Sequence, residues 1–135
     1  MAKLPDNVKA LLLKGHEVWV ATVGKDGWPN VAIKGSGALF DQDHLYFADM
    51  YSKKTRANIE ANPRVAVGIW DPKSGIAVQV KGTAEMVPRG PSFDDVARRI
   101  APLNKTLPPI EYIVRIHVEE VYDMGVGPHA GERIA

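Results

Sequence analysis

Short segments in which apolar and polar residues alternate constrain the fold of this chain more than any other feature. They are separated by turn residues such as glycine, proline and aspartate, and the longest cover residues 76–87 and 112–121. In the second of these, alternate side chains are apolar: Tyr112, Val114, Ile116 and Val118. Because successive side chains of a β-strand point to opposite faces, the pattern predicts strands that bury one face.

Four other segments complete a predicted sheet of six strands. Residues 16–23 and 31–33 flank the turn sequence Gly-Lys-Asp-Gly, which is typical of a β-hairpin. The Gly-Ser-Gly sequence at 35–37 indicates a bulge or a close backbone approach in the second strand, and strand residues 38–40 follow it. Residues 45–48 and 65–70 supply the remaining strands. Six antiparallel strands joined mainly by hairpins, with short helices between them, predict a mainly β fold that closes or partly closes as a barrel.

Three short helices are predicted, one before the first strand and two between later strands. The first follows Pro5 and stops at Gly15, and the second ends before the Asn-Pro sequence at Asn62. In the third, Ser92 with Asp95 resembles a capping box, ahead of a buried stripe of Phe93, Val96, Ala97 and Ile100. The length of 135 residues suits a single domain, residues 1–135, with its own core.

Composition excludes several classes of function. Seventeen lysines and arginines stand against sixteen aspartates and glutamates, and a net charge of +1 gives no broad basic surface for nucleic acid or membranes. The chain has no cysteine and therefore no disulfide or thiolate metal site. Its first residues lack a long apolar run and a cleavage signature, so a cytoplasmic location is expected.

The start of the second helix carries three cations, Lys53, Lys54 and Arg56, and no acid. The free N–H groups and the dipole at a helix N-terminus favour negative charge, and each added cation costs about 0.3–1 kcal/mol. A bound phosphate would remove the conflict by accepting hydrogen bonds from the amides and from the hydroxyls of Ser52 and Thr55. A solvated basic turn is the alternative interpretation.

No catalytic or metal-binding constellation is recognisable in the sequence. Four histidines are scattered without metal-ligand spacing: His16, His44, His117 and His129. The adjacent acids at 94–95 and 119–120 point to different faces, so no paired-carboxylate site is expected. The glycine-rich residues 125–131 lack the context of a phosphate loop and predict a flexible tail. We therefore predict no catalytic side chain and no metal.

Core packing is expected for the three tryptophans, Trp19, Trp28 and Trp70, because large aromatic side chains dominate cores. Trp28 follows an Asp-Gly turn at the tip of the predicted hairpin, where burial within a single subunit is harder to arrange. For Trp28, contact with a partner subunit or a ligand is therefore a stronger alternative to core packing than it is for the other two tryptophans.

The order of these features resembles one known family. A strand reading VAIKG is followed by a strand ending in YFA, and then by the sequence SKK, a short helix, and the sequence NPR that opens the next strand. This order is similar to that of the pyridoxamine 5′-phosphate oxidase-like family of FMN-binding split barrels, most specifically over residues 29–70. The resemblance implies a six-stranded antiparallel split β-barrel that forms a homodimer with two FMN molecules at the subunit interface.

The resemblance also implies which residues contact FMN. Lys54, with Lys53 and Thr55, would hold the phosphate at the start of the second helix. Residues 31–34 would lie along the isoalloxazine or the substrate pocket, 47–48 would close its other edge, and a glutamine on the long strand would reach the flavin. The expected cofactor-binding residues are Val31, Ala32, Ile33, Lys34, Phe47, Ala48, Ser52, Lys53, Lys54, Thr55 and Gln79.

Two departures from the family bear on the reaction. The third helix reads SFDDVARRI and lacks the tyrosine that holds pyridoxal phosphate in the authentic oxidase, and the chain ends in DMGVGPHAGERIA without the oxidase's C-terminal tryptophan and arginine. We therefore predict an FMN-dependent oxidoreductase with a small-molecule or protein redox partner, and not a true pyridoxamine phosphate oxidase. The alternatives are a non-catalytic electron-transfer or flavin-binding protein, and a split barrel that binds deazaflavin.

Overall fold

Six antiparallel strands form a closed barrel in the computed structural model, which describes residues 3–41, 44–49, 52–103 and 109–135. The elements follow in the order α1 (Asp6–Leu13), β1 (His16–Val23), β2 (Pro29–Leu39), β3 (His44–Asp49), α2 (Lys54–Ala61), β4 (Arg64–Asp71), β5 (Ile76–Met86), α3 (Pro91–Ile100) and β6 (Tyr112–Asp123). Around the barrel the strand order is β1-β2-β3-β6-β5-β4. The predicted six-stranded antiparallel barrel is therefore confirmed.

The inward faces of the strands fill the barrel with branched and aromatic side chains. In β5 the burial of successive residues alternates as the sequence pattern predicts, and β6 alternates from Val114 to Glu119. At the start of β6, Ile113 is buried as well, because its face packs in the α3 cluster. Helix α1 packs Val8 and Leu12 against this core, and α3 covers a second, smaller cluster outside the barrel. Fully buried residues of the main core include Val18, Val20, Leu45, Phe47, Val67, Ile69, Val80, Val114 and Ile116. None of the helices in the described ranges is long and apolar enough to cross a membrane.

Two irregularities shape the ladders. The pairing of β1 with β2 steps from His16↔Gly37 to Val18↔Lys34, so the extra residue lies in β2, where the sequence indicates a bulge. A second register shift follows Lys81 in the β5–β6 ladder. There the backbone approaches closely, because a Cβ atom on Gly82 would lie 2.3 Å from the carbonyl oxygen of His117.

The seam between β2 and β3 is held only partly by backbone hydrogen bonds. Their ladder pairs Ala38 with Tyr46 and the next residue, Leu39, with Leu45. Beyond this ladder the Ser36 hydroxyl links the two strands. It accepts a hydrogen bond from the amide of Ala48 at 3.0 Å and donates one to the Ala48 carbonyl oxygen at 3.2 Å. Side chains therefore bridge the strands where the backbone ladder has ended.

Two local predictions are wrong. Helix α3 begins at Pro91 with Gly90 as its N-cap, at φ 144°, and no side chain caps it, so Ser92 and Asp95 form no capping box. The glycine-rich C-terminal segment folds back on β6 in place of the predicted flexible tail. The Val121 amide donates to the Ala135 carbonyl oxygen at 3.1 Å, and a β-bridge joins Tyr122 and Arg133. Backbone hydrogen bonds thus fix the end of the chain against the barrel.

Candidate functional site

The start of α2 presents positive charge without a compensating acid. Lys53 is the N-cap residue, no side chain among the described residues bonds the cap, and the first turn contains no acidic residue. Lys53 and Lys54 are exposed, and neither side chain has an ion pair or hydrogen bond within the described part of the chain. Arg56 has partners, since its Nε lies 3.2 Å from Glu60 Oε1 and its guanidinium 5.3 Å from the Tyr112 ring centre. The two lysines are therefore the cations available to an anion.

Thr55, in the first turn of α2, carries a buried hydroxyl that needs a partner. The residue is fully buried, and its Oγ1 has no hydrogen-bond partner among the residues that the structure describes. A buried polar group without a partner costs about 1–3 kcal/mol. An anion held at this turn would supply acceptor oxygens to the free amides and to a hydroxyl in the same turn.

A cavity of 380 Å³ lies beside this helix start. Its walls are mainly polar or charged and come from α2, the turn before it and the start of β6: Ser52, Lys53, Arg56, Ala57, Glu60, Glu111 and Tyr112. Lys53 and Arg56 give one side of the cavity a positive charge, and Glu60 already pairs with Arg56. The cavity therefore offers a basic wall at the place where the helix amides are free.

Two buried polar residues fix the turn that leads into α2. The Ser52 amide donates to Asp49 Oδ1 at 3.0 Å, and the Tyr112 hydroxyl donates to the Ser52 carbonyl oxygen at 2.9 Å. Burial, reinforced by the negative charge of Asp49, raises the pKa of Tyr112 above its ordinary value. Tyr112 therefore stays protonated at neutral pH and remains a hydrogen-bond donor to the turn.

Asp49 also forms a buried ion pair with Lys34 of β2. The Lys34 ammonium bonds the Asp49 carboxylate, and the exposed fractions of the two residues are 6% and 8%. The ammonium lies 5.8 Å from the centre of the Phe47 ring. Lys34, which the family resemblance places beside the flavin or substrate, thus points into the barrel wall. No sequence signal selects Asp49 beyond its place as an acid at the end of a strand.

The other expected cofactor-binding residues are spread over four environments. Phe47 packs in the barrel core and Ala48 in the α3 cluster, so neither side chain lines the α2 cavity. Ala32 is half-buried on β2. Gln79 lies on the outside of β5, opposite Gly68 of β4 and Tyr122 of β6. The structure therefore brings Ser52, Lys53, Lys54 and Thr55 together and leaves Gln79 apart from them in one subunit.

Large apolar side chains cover the outside of β1, β2 and β4. We call this surface the outer apolar face; it comprises Trp19, Val31, Ile33 and Trp70, which are 42%, 63%, 56% and 55% exposed. Trp28, at the β1–β2 turn, is 74% exposed. The expectation of core packing is therefore wrong for all three tryptophans, because the inward positions of these strands are taken by smaller branched residues. A cavity of 760 Å³ is lined by residues of β1, β4, β5 and β6, among them Arg64, Lys81 and Glu119.

Comparison with known proteins places these features in a family. Residues 4–125 match the family model described as pyridoxamine 5′-phosphate oxidase. An uncharacterized protein of Methanocaldococcus jannaschii is 34% identical over 125 residues, which cover 91% of this chain and 83% of that protein.

Solved structures show the same fold. HupZ of Group A Streptococcus is 25% identical, with a TM-score of 0.77 over 95% of this chain and 99% of HupZ. An FAD-binding protein of Mesorhizobium loti is 26% identical, with a TM-score of 0.67 over 89% and 92% of the two chains. An F420 reductase is 25% identical, with a TM-score of 0.67 over 87% and 98%. Proteins of this fold therefore include flavin and deazaflavin binders.

Proposed function

Because the chain belongs to the pyridoxamine 5′-phosphate oxidase family, we propose that it is an FMN-binding oxidoreductase that exchanges hydride or electrons with a small molecule or a protein partner. The observation that carries the proposal is the start of α2, which has two exposed lysines, free helix amides, no acid in its first turn and the unpartnered Thr55 hydroxyl. FMN when bound supplies the redox chemistry, and the protein holds and orients it.

Charge and hydrogen bonding both favour a phosphate at this turn. A phosphate monoester carries about −1.5 to −2 charges at neutral pH and offers several acceptor oxygens. The ammonium groups of Lys53 and Lys54 balance that charge, and the helix dipole adds to their attraction. Asp49, which is paired with Lys34 and bonded to the Ser52 amide, fixes the turn without needing to face the phosphate.

The proposed cofactor site extends across a homodimer. The outer apolar face leaves four large side chains in water, which is unusual for a surface without a partner. Gln79 and Gly68 lie on the outside of the barrel away from the lining of the α2 cavity. A second copy seated on this face would exclude water from an isoalloxazine ring whose phosphate is held by α2. We therefore assign Val31, Ile33 and Gln79 to the ring side of a shared site.

The phosphate assignment is tested by comparing FMN with riboflavin, which lacks the phosphate. Lys54→Ala removes one charge-assisted hydrogen bond of about 1.5–3 kcal/mol, so FMN should bind about one to two orders of magnitude more weakly. Riboflavin affinity should not change. Calorimetric titration of both ligands measures the difference, with Lys14→Ala in the exposed end of α1 as the matched control. Equal FMN affinities for Lys54→Ala and wild type would place the phosphate elsewhere.

A deazaflavin cofactor is the second candidate, because the F420 reductase shares this fold at 25% identity. The same turn could hold a phosphate group of either cofactor. Parallel titrations with FMN, FAD and F420 identify the preferred ligand, and we expect FMN to bind most tightly. Steady-state turnover with NADH or NADPH then separates an enzyme from an electron carrier, since a carrier should be reduced only by a protein partner.

A further inference from the structure

Two histidines from distant parts of the sequence face each other on the outside of the barrel. His44 begins β3, and its cross-strand partner in β6 is His117. The ring centres lie 5.5 Å apart, with the ring planes inclined by 61°. His117 is exposed and His44 is half-buried, so both rings border solvent. Neither residue lines the α2 cavity or belongs to the outer apolar face, so the pair is separate from the proposed cofactor site.

The spacing of the rings suits a shared metal ion. In a zinc–imidazole complex the nitrogen lies about 2.0–2.1 Å from the metal, which puts the ring centre about 3.2 Å from it. Two ring centres 5.5 Å apart at that distance subtend roughly 120° at the ion, close to a tetrahedral angle of about 109°. Chelation then requires that each ring directs one nitrogen at the same point between them.

A neighbouring carboxylate already orients one of the rings. His44 Nδ1 lies 3.1 Å from Asp41 Oδ1, and the Tyr46 hydroxyl donates to the other oxygen of Asp41 at 3.1 Å. A carboxylate in this position favours the tautomer that is protonated on Nδ1. The lone pair of Nε2 is then available to a metal, as in the carboxylate–histidine–metal arrangement of many protein sites.

We propose that His44 and His117 bind a divalent transition-metal ion, such as Zn²⁺ or Cu²⁺, with Asp41 as the positioning residue. Imidazole is a preferred ligand of both ions. The described residues contain no group of three histidines, aspartates or glutamates placed to hold a metal, so water completes the coordination. The ion would cross-link β3 to β6 at the end of their ladder opposite Asp49 and Tyr112.

The test is titration of the full chain with Cu²⁺, followed by electron paramagnetic resonance. We expect one high-affinity ion per chain, with coupling to two imidazole nitrogens. His44→Gln and His117→Gln should each remove one coupled nitrogen and weaken binding about tenfold or more. His129→Gln is the matched control, because His129 is an exposed histidine whose Nδ1 also lies beside a carboxylate, that of Glu132 at 3.0 Å. That variant should bind like wild type.

Asp41→Asn tests the positioning role separately. It should keep both coupled nitrogens and weaken Cu²⁺ binding by about tenfold, because only the orientation of His44 is lost. Zn²⁺ should raise the melting temperature of wild type but not that of His117→Gln. The proposal is overturned if wild type shows one coupled nitrogen, if both histidine variants bind like wild type, or if saturation needs more than about 1 mM metal.

Discussion

Lys34 and Asp49 show how one pair of residues joins the barrel wall to the candidate site. Both are buried at the β2–β3 seam, where backbone pairing has stopped, and Asp49 also accepts the amide of Ser52. Removing two charges from water is costly, and their attraction offsets that cost only while both are present. The pair therefore specifies the position of the turn into α2 more than it adds to stability.

Replacing only one member of this pair should destabilise the protein strongly. Lys34→Met leaves the Asp49 carboxylate buried without its cation, and we expect a loss of about 3–5 kcal/mol in the free energy of unfolding. The double variant, with both Lys34→Met and Asp49→Leu, should lose less free energy of unfolding than Lys34→Met alone. Urea unfolding measures each loss. Arg98→Met, which breaks an exposed pair with Asp95, is the control and should cost less than about 1 kcal/mol.

The raised pKa of Tyr112 predicts a loss of stability at alkaline pH. Burial, and then the charge of Asp49, keep Tyr112 protonated in the folded state, while in the unfolded chain it ionises near its ordinary pKa of 10.0. Above that pH the folded state binds more protons than the unfolded state, so the free energy of unfolding falls as pH rises; below it the group contributes no pH dependence.

Tyr112→Phe should therefore make stability fall less steeply above about pH 10. Some slope will remain, because the pKa values of Tyr46 and Tyr122 are also raised, mainly by burial and by the bond to Glu120, respectively. Urea unfolding at a series of pH values compares the two proteins. Parallel curves would show that Tyr112 does not hold its proton more tightly in the folded state.

At the scale of elements, the sequence predicts what local patterns encode. The alternation in residues 76–87 and 112–121 predicts β5 and β6, and the glycines at 35 and 37 predict the β2 bulge. The predicted capping box of α3 is absent because Gly90 and Pro91 set the backbone conformation at the start of this helix, so that it begins without a side-chain cap. The return of the C-terminal segment depends on the part of β6 that extends beyond its ladder with β3, which no local pattern reveals.

At the register shift after Lys81, the backbone of β6 leaves no room for a side chain on Gly82. A Cβ atom there would lie 2.3 Å from the His117 carbonyl oxygen and 2.8 Å from Ile116 Cγ2. We expect Gly82→Ala to cost about 1–3 kcal/mol or more in the free energy of unfolding, since the backbone of β6 would have to move. Gly35→Ala is the matched control, because that site has no atom within 4 Å and no positive φ. Thermal or urea unfolding that ranks the two variants equally would contradict the close approach.

At the scale of the whole molecule, long-range register decides which distant residues meet. Lys34 meets Asp49, and His44 meets His117, through pairings that the alternation of single strands does not specify. The basic start of α2 is visible in the sequence because its residues are consecutive, whereas Asp49 and Tyr112 join it only in three dimensions. The sequence therefore identifies the basic turn better than the residues that support it.

The outer apolar face provides a test of the proposed homodimer. Ile33→Lys puts a charge at its centre, where the side chain is 56% exposed in one subunit, and should convert a dimer into monomers. Leu13→Lys on α1, at a side chain that is 67% exposed, is the control and should leave the dimer intact. Light scattering gives the mass of each protein. A wild-type monomer in the presence of bound FMN would rule out the shared site.

The way in which the ring of strands closes has a consequence for the order of folding. Strand β2 pairs with β1 and β3, its neighbours along the chain, and β4 pairs with the next strand, β5. The β3–β6 ladder instead pairs residues about half the chain length apart. Closing a long loop costs more entropy and slows folding. During refolding, we expect the amide protons of the β1–β2 hairpin to gain protection from hydrogen exchange before the amide proton of Phe47 in β3 does. The barrel would then close last along the strand that leads into the α2 turn, which makes that turn a late product of folding.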